Sequence, residues 1–227
     1  MSAELIVNGV RLIADPSGAL IWPDAATIAV ADLHLEKGSA YAQKGTLLPP
    51  YDSRETLDSL AAIIAREQPR RVICLGDSFH DLGAIERIDP TDAVQLARLT
   101  KSVEWVWVLG NHDPAPPRGA PWAGRIETSL TLSALTFRHE AEPQGGAGEI
   151  SGHFHPKAAI RTRARRITGR CFVSDGRRLI LPAFGAYAGG LDALDPAISG
   201  LFRRGFQAYL IGRATVRAFP RDSLLPI

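Results

Sequence analysis

Short apolar runs, each ending abruptly in a polar motif, set the rhythm of the first half of the chain. Thr27-Ile28-Ala29-Val30-Ala31, Arg71-Val72-Ile73-Cys74-Leu75 and Val103-Glu104-Trp105-Val106-Trp107-Val108-Leu109 carry no helical period and read as buried strands. Between them the pattern turns helical. Leu57, Leu60, Ile63 and Ile64 form a stripe that ends before Pro69, with Asp52 as the cap and Glu55 reaching back at the third helical position. A second helix, apolar at Val94, Leu96, Ala97 and Leu99, joins the second and third runs. Strand, helix, strand, helix, strand implies a right-handed parallel unit.

The flanks read as antiparallel. Leu5-Ile6-Val7 and Val10-Arg11-Leu12-Ile13 are joined by Asn8-Gly9, which supplies both positive φ values of a type I′ turn. Near the other end, Phe206–Ile211 and Ala214–Phe219 form a hairpin across Gly212-Arg213, read as a II′-type turn. The run Leu130–Phe137 alternates as a strand and delivers His139 at its end. The proline-rich stretch 114–121 reads as a rigid, extended loop. Periodicity alone gives an α/β fold.

Composition narrows the class. With 227 residues, 45% hydrophobic and 22% charged, the chain is an ordinary globular sequence and is expected to form one domain over residues 1–227. No run approaches the roughly 18 apolar residues of a membrane span, and Met1-Ser2-Ala3-Glu4 does not open a signal peptide, so a cytoplasmic protein with no membrane partner is expected. Cys74 and Cys171 have no paired spacing for a disulfide framework or a zinc site. A net charge of +2 decides nothing about nucleic acid.

The chemistry lies in the polar ends of the runs. All six histidines fall in or beside Asp32-Leu33-His34, Gly76-Asp77-Ser78-Phe79-His80-Asp81, Gly110-Asn111-His112-Asp113, His139 and Gly152-His153-Phe154-His155. Asp32 and His34, at i and i+2 after a strand, would point to one side. In open α/β sheets the functional crevice lies at the carboxyl ends of the strands, where these motifs would gather. Imidazole mixed with carboxylate suits divalent Mn, Fe or Zn better than Ca or Mg, and a set this large can hold two ions.

These motifs, in this order, resemble the calcineurin-like metallophosphoesterases. With the segments Leu35-Glu36-Lys37-Gly38-Ser39, Leu47–Asp52, Arg138-His139-Glu140, Gly148–His153 and Leu181–Tyr187, the chain is similar over nearly its whole length to the bacterial ligase-associated DNA damage response phosphoesterases. That resemblance implies a four-layer αββα sandwich with mixed sheets and a dinuclear metal-dependent phosphodiesterase, with DNA as substrate. A DNA-repair setting is implied with it, with a DNA ligase and a helicase as partners. It also implies roles. Asp32, His34 and His155 would hold one metal, Asn111, His139 and His153 the other, and Asp77 would bridge them. A metal-activated water then needs no Ser or Cys nucleophile. His112 would lie near the scissile phosphate as general acid for the leaving oxygen or as a transition-state hydrogen-bond donor, with Asp113 orienting its other nitrogen.

Substrate contacts are less sharply marked. The wider superfamily has Gly-Asp-x-x-Asp, whereas here His80 precedes Asp81, so His80 reads either as a contact to substrate phosphate, as support for Asp77, or as a loop histidine. Arg161, Arg163 and Arg165 would share one face of a strand, as a phosphate-backbone contact or as a charged edge that deters aggregation. Tyr41, Lys37 and Lys44 are further substrate candidates, and Trp105 and Trp107 are expected in the core. Two other functions remain open: a small-molecule phosphatase or nucleotide phosphodiesterase on the same metal core, and a non-catalytic scaffold for repair partners.

Overall fold

The computed structural model describes residues 1–113 and 122–227. The stretch 114–121, read above as an extended loop, lies outside the described residues. One sheet takes its strands in chain order: β1 (Ala3–Val7), β2 (Val10–Ala14), β3 (Leu20–Trp22), β4 (Thr27–Val30), β5 (Arg71–Leu75), β6 (Glu104–Val108) and β7 (Arg125–Glu127). β1 to β4 are antiparallel neighbours and β4 to β7 are parallel ones, as the hairpin and crossover signals require. Asn8 and Gly9 adopt φ of 50° and 80°, the two left-handed positions of the predicted turn.

The second sheet runs β15-β14-β12-β13-β10-β9-β8, comprising β8 (Ser129–Leu132), β9 (Leu135–Arg138), β10 (Glu149–Ser151), β12 (Arg166–Ser174), β13 (Arg178–Ile180), β14 (Gln207–Ile211) and β15 (Val216–Pro220). β11 (Lys157–Arg161) branches from β12 and also pairs β16 (Leu224–Leu225). β10 is parallel to both β9 and β13, so this sheet is mixed too. The helices are α1 (Lys37–Gln43), α2 (Asp52–Glu67), α3 (Ala84–Arg87), α4 (Pro90–Ser102) and α5 (Pro196–Ser199).

Alternation along the three parallel strands explains the layering. Ala29, Ile73, Leu75, Val106 and Val108 face the second sheet and join Leu12, Phe137 and Phe172 in an inter-sheet core. Ile28, Val72, Cys74, Trp105 and Trp107 face the other way, against Leu57 and Leu60 of α2 and Leu96 of α4. Strands buried on both faces read as continuous apolar runs, which is how they appear in the sequence. A third core, with Val173, Leu210, Ile198, Phe202 and Phe206, covers the outer face of the second sheet. The architecture is an αββα sandwich. Among the described residues no helix is long and apolar enough to cross a membrane.

Five local expectations are corrected. Asp52 is the first helical residue of α2 and not its cap; its carboxylate accepts from the Gly38 N–H at 2.9 Å. Val94 points out from α4 and is exposed. The alternating run 130–137 is two strands, turned at Ser133, whose φ is 52°. The C-terminal hairpin closes over Gly212–Thr215, with Ile211 opposite Val216, and Gly212 is not left-handed as a II′ turn requires. Arg161 ends β11, and Arg163 and Arg165 lie in its exposed turn, closed by a Thr162 N–H to Arg165 carbonyl bond of 2.9 Å. These three arginines do not share a strand face.

Phe172 sits fully buried between the sheets. Phe172→Ala is expected to remove about 3–5 kcal/mol of stability, a fall of roughly 6–20 °C in Tm at this chain length. A thermal melt checks this, and a loss below about 1 kcal/mol contradicts the inter-sheet core.

Candidate metal centre

The loops leaving β4, β5 and β6 in one sheet, and β9 and β10 in the other, meet at a single edge of the sandwich. Their backbones are tied before any side chain is considered. Asp32, His34 and Leu35 donate their N–H groups to the carbonyls of Gly76, Asp77 and Ser78 at 3.2, 2.9 and 3.0 Å, and His80 N–H returns to Leu35 at 2.9 Å. The second sheet joins through Phe184 N–H to Ala31 carbonyl at 2.8 Å and Gly185 N–H to Asp32 carbonyl at 3.2 Å.

Within this frame Asp32, His34, Asp77, His153 and His155 all have positive φ, at 54°, 45°, 46°, 72° and 48°. Left-handed backbone costs an L residue roughly 1–2 kcal/mol. The strand ended at Val30, so the i, i+2 reading of Asp32 and His34 does not explain their convergence; alternate left-handed residues do. Two glycines leave the room. A Cβ on Gly76 would lie 2.3 Å from the His139 ring, and one on Gly110 would lie 2.2 Å from both the Asp77 amide and its Oδ1.

Two groups of donor atoms result. In the first, His34 Nε2 and His155 Nε2 face each other at 3.2 Å, with Asp32 Oδ1 3.4 Å from the latter. Asp32 Oδ1 is buried without a hydrogen-bond partner, while Oδ2 accepts from the His153 N–H at 3.0 Å. In the second, His139 Nδ1 donates to the Leu75 carbonyl at 2.9 Å, which leaves its Nε2 as a lone pair. That Nε2 lies 2.9 Å from Asn111 Oδ1, 3.1 Å from His153 Nδ1 and 3.5 Å from Asp77 Oδ1. Imidazole nitrogens and carboxylate or amide oxygens converging this closely, with Asp32 Oδ1 buried and unpartnered, fit a divalent cation in each group.

Electrostatics agree. Burial pushes the His34 imidazole down to about 2, with His155, Lys37, His112 and His80 adding to the effect. Burial also lowers His153, His139 acting the same way against Glu140, Asp32 and Asp77. Neutral imidazoles are the form that ligates a metal.

His34, His80 and His112 form a further close group of imidazoles. His112 is exposed, and its Nδ1 meets the His80 carbonyl at 2.8 Å. Asp113 is not its partner, contrary to the expectation above. The buried Asp113 carboxylate instead accepts four backbone N–H groups: Asp77 and Gly110 at 3.0 Å each on Oδ1, and Ser78 at 2.8 Å and Phe79 at 3.3 Å on Oδ2. Its lone pairs are consumed in clamping the loops after β5 and β6. Burial raises its carboxyl to about 6, the Asp77 charge adding to this and the backbone bonds opposing it.

Sequence reading also passed over the support beneath α1. Buried Glu36 accepts from the Ser39 and Ser53 hydroxyls at 2.7 Å each, and Arg87 donates to Ser39 Oγ at 3.0 Å and to both Asp81 oxygens at 2.8 Å. Its only sequence signal was the position of Glu36 two residues after His34.

The match to known proteins follows the same residues. A family model described as calcineurin-like phosphoesterase covers residues 26–179, from β4 through β13. The chain belongs to the calcineurin-like phosphoesterases. Among solved structures it is similar to the nuclease MPE of Pseudomonas putida, with 26% identity and a TM-score of 0.71 over 97% of this chain and 100% of the other. It is also similar to Yfce, a phosphoesterase from E. coli, at 13% identity and a TM-score of 0.44 over 85% and 97%. A curated relative, the probable inactive purple acid phosphatase 29 of Arabidopsis thaliana, is 23% identical over 164 residues. That match takes in 70% of this chain but 42% of the plant protein. The His and Asp groups described above fit the divalent metal ions of that family.

Asp113→Asn should be costly although it is nearly isosteric, because the amide NH₂ would face backbone donors. The expected loss is about 2–4 kcal/mol, or roughly 5–15 °C in Tm. An unchanged melting temperature would show that the clamp is dispensable.

Proposed function

We propose that this calcineurin-like phosphoesterase is a phosphodiesterase that cleaves DNA, working as a repair endonuclease. The observation that carries the reading is the likeness to the Pseudomonas putida nuclease over nearly the full length of both chains, joined to two adjacent groups of imidazole and carboxylate donors. Asp32, His34 and His155 are assigned to one divalent transition-metal ion, Asn111, His139 and His153 to the other, and Asp77 to the bridge. Mn²⁺ is the first choice, with Fe and Zn as alternatives. When bound, the ions supply charge for the phosphoryl oxygens and an activated water.

This chain's own residues do the rest. His112 stands outside the two groups, with its Nδ1 anchored on the His80 carbonyl, so its Nε2 is the nitrogen left to give a proton to the leaving oxygen. The His112 N–H holds Asp77 Oδ1 at 2.9 Å, which couples the position of the acid to the assigned bridge. His80 faces the same space as a phosphate contact. The exposed Arg161, Arg163 and Arg165 are assigned to phosphates a few nucleotides from the cut, since the five residues of β11, about 16 Å of strand, carry them away from His155. The motif resemblance supports a cytoplasmic repair setting with a DNA ligase and a helicase as partners.

The test is a panel assayed with Mn²⁺: bis-p-nitrophenyl phosphate, p-nitrophenyl phosphate, single- and double-stranded DNA, RNA and cyclic nucleotides. Cleavage of the diester and of DNA, with the monoester at least tenfold slower, is the expected result. A faster monoester with DNA left intact would make the protein a small-molecule phosphatase.

His112→Ala is expected to slow DNA cleavage by roughly 10²–10⁴-fold and to slow the activated aryl diester much less, because p-nitrophenolate leaves with little proton donation. Equal losses on both substrates would assign His112 to holding the phosphate.

A further inference from the structure

A row of rings leads out from the metal centre towards solvent. The His112 and His80 rings stack with centroids 5.2 Å apart at 29°, and the Tyr41 ring of α1 follows 5.8 Å from His80. His34, assigned to a metal, touches both histidines edge-on at 5.6 and 5.2 Å. Tyr41 ends the row with 37% of its surface open. Exposed Leu47 and Tyr51 lie on the segment after α1, and exposed Leu82 lies two residues past His80.

Cations accompany this surface. Lys37 is the first residue of α1 and Lys44 follows its last, so the two bracket Tyr41 along the helix. Open aromatic rings interleaved with lysines are the combination that holds a nucleic-acid strand by its base faces and its phosphates. A ring one step beyond the phosphate-facing histidines is placed for the nucleoside next to the scissile linkage.

Resting on the nucleic-acid reading above, we propose that Tyr41 is a specificity-determining stacking platform for the nucleobase that flanks the scissile phosphodiester, with Lys37 and Lys44 on the neighbouring phosphates. A base lying on Tyr41 has left its duplex stack.

The experiment uses short single-stranded oligonucleotides with one cleavable linkage, flanked on either side by a normal nucleotide or by an abasic one. Wild type, Tyr41→Phe and Tyr41→Ala are compared, each loaded with Mn²⁺. For wild type, removing the base on one side is expected to lower kcat/KM roughly tenfold or more, through KM. Tyr41→Ala should show that lower value on both substrates and lose nothing further on the abasic one. Tyr41→Phe should behave as wild type, since the ring face is kept. A 2-aminopurine at the flanking position should be quenched on binding wild type and Tyr41→Phe, and not on binding Tyr41→Ala.

If Tyr41→Ala keeps the full preference for the base, or loses equally on both substrates, the platform is refuted and the residue serves only to pack α1. If wild type hydrolyses bis-p-nitrophenyl phosphate but cleaves no oligonucleotide, the nucleic-acid reading falls and this inference with it.

Discussion

Five of the seven residues assigned to metal hold left-handed backbone, and none of them is glycine. The fold must keep that conformation populated. Strand ends deliver a chain to the edge of a sheet, but an extended backbone alternates its side chains between faces. Reversing φ at Asp32, His34, Asp77, His153 and His155 turns those side chains into one space, at roughly 1–2 kcal/mol per residue. The opposing forces are backbone bonds between loops, which continue the parallel β4–β5 pairing past its last strand residues and join the second sheet at Ala31 and Asp32.

Asp113 completes that frame from within. Its carboxylate gathers four amides from the loops of two strands, and a charged acceptor makes each bond stronger than a neutral one would. On the other side of the site, Glu36, Ser39, Ser53 and Arg87 brace α1 against α2 and α3, so that the His80 loop and the Tyr41 helix are held as neighbours. Rigid loops matter because the donor atoms of each group must keep their positions for a cation to find them together.

Much of this was legible in the sequence. Three apolar runs with no helical period marked the parallel strands, and Asn8-Gly9 marked the first hairpin, because strand burial and turn conformation are local consequences of residue type. The motif residues Asp32, His34, Asp77, His139, His153 and His155 come together in space in groups that could hold a metal ion. What failed was the geometry between motifs. Asp113 was read as a partner of its neighbour His112, yet it bonds to amides 34 to 36 residues away. Asp52 was read as a cap, yet it bonds to Gly38. A carboxylate takes whichever donors the tertiary fold leaves uncovered, and spacing along the chain does not record them. The arginine stripe failed for a related reason: alternation holds only while the strand continues, and Thr162 bonding to Arg165 ends β11 at Arg161.

The central claim is that the left-handed turns hold two facing ligand groups around a pair of ions that share Asp77. Titrating metal-free protein with Mn²⁺ while recording electron paramagnetic resonance tests it directly. The account predicts saturation at two ions per chain with the spectrum of an exchange-coupled pair, and loss of the coupling in Asp77→Asn while the chain stays folded. Saturation at one ion, or two ions that give only uncoupled signals in the wild type, would contradict it.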